Sequence, residues 1–164
     1  MDRFHKEISD AIRQENPAKL LIMAVNRAHY LKNPEIANLL MELAEIISVE
    51  FSTEIGSASI GFEAGIFHLR FNREFINEYV STPDCLLFLV LHELLHKLRG
   101  DLFKTFDGLP ENKVLANIAF DLLIDRDLCS LFMFPVPLLG KLYSEKEILL
   151  RILFFHISQL DRCP

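Results

Sequence analysis

Seven apolar residues, Cys85-Leu86-Leu87-Phe88-Leu89-Val90-Leu91, run without interruption into His92-Glu93-Leu94-Leu95-His96, and no other stretch limits the fold as strongly. A segment that is apolar on every side has to be covered on every side. It therefore predicts a buried helix that carries its polar cargo in its C-terminal half. The flanks mark its ends: Ser81-Thr82 offers a hydroxyl N-cap, Pro83 suits the first turn, Asp84 sits at the positive end of the dipole, and Arg99-Gly100 closes the helix. On such a helix, positions four apart stand one turn above each other. His92 and His96 can thus offer two imidazoles to a single metal ion, with Glu93 beside it.

That spacing, H-E-x-x-H, has a defined chemistry in zinc peptidases: two His nitrogens hold Zn²⁺, and the Glu takes a proton from the attacking water. His92 and His96 are accordingly the expected metal ligands and Glu93 the expected general base. The three cysteines, Cys85, Cys129 and Cys163, are too widely spaced to form a metal-ligand pair and leave one thiol over in any disulfide scheme, which points to a reducing cytoplasm. A net charge of −6 with no Lys/Arg stripe excludes a phosphate-binding surface, so no nucleic-acid partner is expected. Although 51% of the residues are hydrophobic, no apolar run reaches the ~18 residues a membrane span needs. No export signal is visible at Met1-Asp2-Arg3-Phe4-His5, and the expectation is a soluble cytoplasmic protein with residues 1–164 as one domain.

Along the chain, helical periodicity predicts helices over 2–15, over 18–31 with Lys32-Asn33-Pro34 as its stop, and over 35–51 on the stripe Ile36, Leu39, Leu40, Leu43, Ile46 and Ile47. After Gly56 the period changes to two. Residues 57–62 and 66–71 read as a hairpin, with Gly65 where positive φ is needed. Phe67, Leu69 and Phe71 share the core face of the second strand, and His68 and Arg70 the solvated one. Residues 72–80 form a polar, partly helical turn, and 101–110 a loop. A helix over about 111–130 then places Asn117, Asp121 and Asp125 in one row within apolar surroundings. A buried carboxylate needs a partner, and a metal or an imidazole is the natural one. An apolar, Pro-broken connector at 132–140 and a final amphipathic helix from Ser144 follow.

The stretch from about 60 to 130 resembles the zincin-like metallopeptidase domain of bacterial proteins that also carry a von Willebrand factor A-like domain. The resemblance is carried by Leu69-Arg70-Phe71-Asn72-Arg73-Glu74-Phe75, by His92-Glu93-Leu94-Leu95-His96, and by Asn117-Ile118-Ala119-Phe120-Asp121-Leu122-Leu123-Ile124-Asp125. The chain departs from the family after Gly100, where Asp101 stands in place of the usual His. It also has no room for the von Willebrand-like domain, so the expectation is a stand-alone form or a piece. More loosely it is similar to the gluzincins, in which an acidic third ligand lies on a downstream helix and a second Asp, one turn on, holds a ligand His. Asp121 and Asp125 stand in that relation. The metzincin extension does not fit, because Arg99 and Leu102 occupy its positions.

These readings converge on an α+β, zincin-like fold, mainly helical with a small antiparallel β-sheet. The expected site has Zn²⁺ on His92, His96 and Asp121, Glu93 as catalytic base, Asp125 and Asn117 in support, and Asp101 as the alternative metal ligand. Continued helical geometry would turn Asp101 about 140° from the His face. The expected activity is zinc-dependent hydrolysis of peptide bonds in a peptide or protein substrate, bound as an added strand along the sheet edge near His68, with Tyr143 and His68 both open as oxyanion stabilisers. A rival reading is a non-catalytic metal-binding module that docks an ATPase or a von Willebrand factor A-like partner. A second rival is a helical scaffold in which the motif is accidental. Retention of Glu93 argues against the first, since a structural site needs no general base.

Overall fold

Short turn and cap signals divide the N-terminal hundred residues into elements that a computed structural model describes over residues 3–100 and 110–132, with side chains in the latter stretch described for 116–129. The order is α1 (Arg3–Arg13), α2 (Ala18–Tyr30), α3 (Pro34–Ala44), β1 (Ile47–Phe51), β2 (Ala58–Glu63), β3 (Ile66–Phe71), α4 (Arg73–Tyr79), α5 (Pro83–Leu98) and α6 (Pro110–Phe132). The chain divides into two compact units, Met1–Phe103 and Lys104–Pro164. Mixed helix and strand make the protein α+β. The expected connector over 132–140 and the helix from Ser144 lie outside the described residues, except that α6 itself reaches Phe132.

In the first unit each helix begins where its cap residue dictates. Asn33 accepts from the Ile36 amide at 3.2 Å with Pro34 at the first helical position, and Asn72 accepts from the Phe75 amide at 3.0 Å to start α4. Asn72 also donates to the Ile55 carbonyl at 2.7 Å, tying the segment before β2 to the start of α4. The apolar stripes of α1 and α2 bury Ile8, Ala11, Leu20, Leu21 and Ala24.

Two expectations need correction. Residues 47–51 do not continue the third helix: α3 stops at Ala44, and Ile47–Phe51 is strand β1. Nor is the sheet wholly antiparallel. Its order is β1-β3-β2, with β1 parallel to β3 in the register Ile47↔Phe67 to Phe51↔Phe71, and β2 antiparallel to β3 from Ala58↔Phe71 to Glu63↔Ile66. The physical reason is that Ile46 and Ile47 extend the stripe of α3 at helical spacing, while Ile47, Val49 and Phe51 also satisfy a period of two. β3 offers those three residues backbone partners as well as an apolar neighbour, and β-branched side chains favour the extended form.

The expected hairpin is present. Its two-residue turn, Ala64-Gly65, has φ of 50° and 84°, so both residues take the left-handed region that a two-residue hairpin requires. One face of β3 carries Leu69 and Phe71, both fully buried. On the opposite face the Arg70 guanidinium joins three strands, donating to Glu50 on β1 at 2.6 Å and to Glu63 on β2 at 2.7 Å. Hydrogen bonding and charge attraction from Arg70 hold the Glu63 carboxyl below its ordinary value.

Helix α5 lies between α2 and β2. Arg27 of α2 grips its N-terminus, donating from Nε and Nη2 to the two oxygens of Asp84 at 2.7 and 2.8 Å. A two-pronged guanidinium–carboxylate pair, largely out of solvent and at the positive end of the dipole, fixes how α5 sits on α2. Arg27→Ala is expected to destabilise the protein by about 1–2 kcal/mol, read from denaturant unfolding, whereas Arg27→Lys should recover only part of the loss because it cannot bind both oxygens. Equal stability of all three proteins would show that the pair does not anchor the helix.

Candidate metal centre

The site begins with the cap of α5. Thr82 accepts from the Cys85 amide at 3.2 Å with Pro83 at the first helical position, and the helix ends at Arg99 with Gly100 at φ 68°. Between these limits every residue from Cys85 to Leu94 is buried, as the unbroken apolar run predicts. That burial is what makes His92 and Glu93 informative. Among the described residues the buried polar or charged side chains are His92, Glu93 and Asp125, at 6%, 8% and 4% exposure. An imidazole or a carboxylate taken out of water costs several kcal/mol unless paired, so each of the three marks a position where burial has to be compensated.

His92 and His96 stand one turn apart with ring centroids separated by 5.0 Å, and their Nε2 atoms are 3.2 Å from each other. Two nitrogens at Zn–N distances of about 2.0–2.1 Å on one tetrahedral zinc are about 3.3–3.4 Å apart. The observed separation is thus close to that of two ligands on one ion, and the donor set fits zinc. The Phe88 ring lies one turn before His92, 6.2 Å between centroids, and supplies an apolar wall on that side. Glu93 is the next residue around the helix, rotated by about 100° from His92, beside the imidazole pair and not in line with it. This arrangement suits a base acting next to a metal better than a third ligand.

On α6, in the second unit, the row Asn117, Asp121 and Asp125 grades from exposed through half-buried to buried. Ile124 and Leu128, both almost fully buried, flank its inner end. One turn beyond Asp125 is Cys129, whose thiol is pushed up by burial and then by the Asp125 carboxylate. Asp101 and Tyr143 lie outside the described residues.

His68 is placed away from the motif helix. It stands on β3, the middle strand and not an edge, and the Phe67 ring on the other face of that strand carries the Lys97 ammonium of α5 at 4.4 Å from its centroid. Strand alternation therefore turns His68 to the opposite face, where its Nδ1 lies 3.4 Å from Glu50 without hydrogen-bonding geometry. His68 thus belongs to the middle strand, one strand in from the edge strand β2, where it pairs with Gly61. Sequence reasoning missed Lys97. Its signal was present in the sequence: a lysine four residues after Glu93 falls on the Glu93 side of the helix. No helix among the described residues is long and apolar enough to cross a membrane. Comparison with family models, with curated proteins and with solved structures finds no match.

Proposed function

We propose that the protein is a zinc-dependent metallopeptidase that hydrolyses peptide bonds. The observation that carries this reading is the pair of imidazole nitrogens 3.2 Å apart on a buried helix, with a buried carboxylate as the intervening sequence neighbour. His92, His96 and Asp121 would hold the ion, each offering one donor atom of a kind that zinc accepts. Asp125, one turn along α6, and Asn117 would orient the ligands from behind. When bound, the ion supplies Lewis-acid polarisation of the scissile carbonyl and lowers the pKa of water at the site. Glu93 takes the proton from the attacking water and passes it to the departing amine, so one carboxylate serves as base and then as acid. The Phe88 ring, 6.2 Å from the His92 ring between centroids, gives the imidazole an apolar neighbour on one side.

The alternative of a metal-stabilised docking module accounts for the two histidines but not for a carboxylate kept buried between them. The test is proteolysis of a general unfolded substrate. Incubated with reduced, unfolded casein, the full chain should produce fragments, a zinc chelator should abolish them, and one equivalent of zinc should restore them. Fragments that persist undiminished after chelation, or a zinc-loaded chain that cuts nothing, would contradict the proposal.

A further inference from the structure

Lys97 follows His96 directly and stands four residues after Glu93, which places it one turn further along the same side of α5. Its ammonium lies 4.4 Å from the centroid of the Phe67 ring, and that ring packs against Phe62 with centroids 4.7 Å apart. Phe62 is on β2, which packs against α5 and among the described residues pairs on one side only, and Phe62 is 46% exposed. Arg27 and Arg70 each spend their charge on carboxylates. Lys97 differs: among the described residues no carboxylate oxygen lies within 4.0 Å of its nitrogen. A cation steadied on an aromatic face, half-buried and with no carboxylate beside it among the described residues, is arranged to receive an anion with little further loss of side-chain freedom.

We propose that Lys97, supported by Phe67 and Phe62, binds a carboxylate of the substrate, which makes the substrate class peptides with an acidic group close to the cleaved bond. The inference rests on the metallopeptidase reading for what happens to the peptide, but not for its binding. The recognised carboxylate stands on the Glu93 side of α5, one helical turn further on. It is supplied either by a peptide C-terminus or by an Asp or Glu side chain.

The test measures binding, with turnover removed by using the full chain as Glu93→Gln. Three hexapeptides of one apolar sequence serve as probes: one with a free C-terminal carboxylate, one amidated, and one amidated with an internal Glu. Affinities are measured by calorimetry, with and without zinc, and the Lys97 side-chain resonances are followed by NMR. At least one carboxylate peptide should bind about tenfold more tightly than the neutral one and should shift those resonances. Which of the two gains identifies the source of the carboxylate. Adding Lys97→Met, which keeps the aliphatic stem on Phe67, should erase the difference and leave the neutral peptide unchanged, and Lys97→Arg should restore it. Equal affinity for all three peptides, no measurable binding of a carboxylate peptide under either condition, or discrimination that survives Lys97→Met would overturn the proposal. A chain that takes up no zinc yet still discriminates by charge refutes the metal reading alone. Zinc uptake without discrimination refutes the Lys97 assignment alone.

Discussion

Glu93→Gln is expected to retain one equivalent of zinc and to lower peptide turnover by about 10²- to 10⁴-fold. The substitution keeps the size and the hydrogen-bonding reach of the side chain and removes only its capacity to accept a proton. Glu93 is buried next to His92, and the two imidazole nitrogens already converge without it. Metal content should therefore be insensitive to the change while the proton-transfer step is lost. The cost to folding should be small, because a neutral amide is easier to bury than a carboxylate. Metal content by mass spectrometry and cleavage of unfolded casein give the two readouts. Loss of stoichiometric zinc would make Glu93 a ligand, and undiminished cleavage would remove it from the reaction.

Asp121→Ala is expected to weaken zinc binding by more than about 100-fold, Asp125→Ala by about 10- to 100-fold, and Asp101→Ala not measurably. A catalytic zinc keeps three protein ligands and one position for water, so removing a ligand should cost more than removing a residue that only orients one. The assignment of Asp121 follows from the apolar company of its helix and from its relation to Asp125, which is buried at 4% exposure. Asp101 lies just beyond the end of α5, where continuing the helix would carry it away from the imidazoles. Competition against a chromophoric chelator orders the three variants. If Asp101→Ala abolished binding and Asp121→Ala did not, the third ligand would come from the segment after α5, as the resembled family's His at that position would suggest.

Elements governed by local chemistry were legible in the sequence. Thr82-Pro83 and Gly100 bound α5 where capping rules put its ends, whereas the caps that Asn33 and Asn72 give α3 and α4 emerge only in the structure. The His92, Glu93 and His96 constellation was legible for the same reason: one helix supplies all three side chains, so spacing alone fixes their relation. What could not be read depends on contacts distant in the chain. Residues 47–51 satisfy helical and strand periods equally well, and only β3, some twenty residues on, decides between them. The same holds for the grip of Arg27 on Asp84, 57 residues apart, and for the Lys97 ammonium over Phe67. His68 illustrates the limit from the other side. Alternation assigns it to the solvated face of its strand, but not whether that strand lies at the edge or the middle of the sheet.

Metal analysis of the full chain, purified without added zinc and without an affinity tag that binds metal, tests the central claim most directly. About one equivalent of zinc per chain is expected, lost in His92→Ala and in His96→Ala and retained in Glu93→Gln. A chain that neither carries zinc nor takes it up at micromolar concentration, or one that keeps a full equivalent after both histidines are replaced, would contradict it.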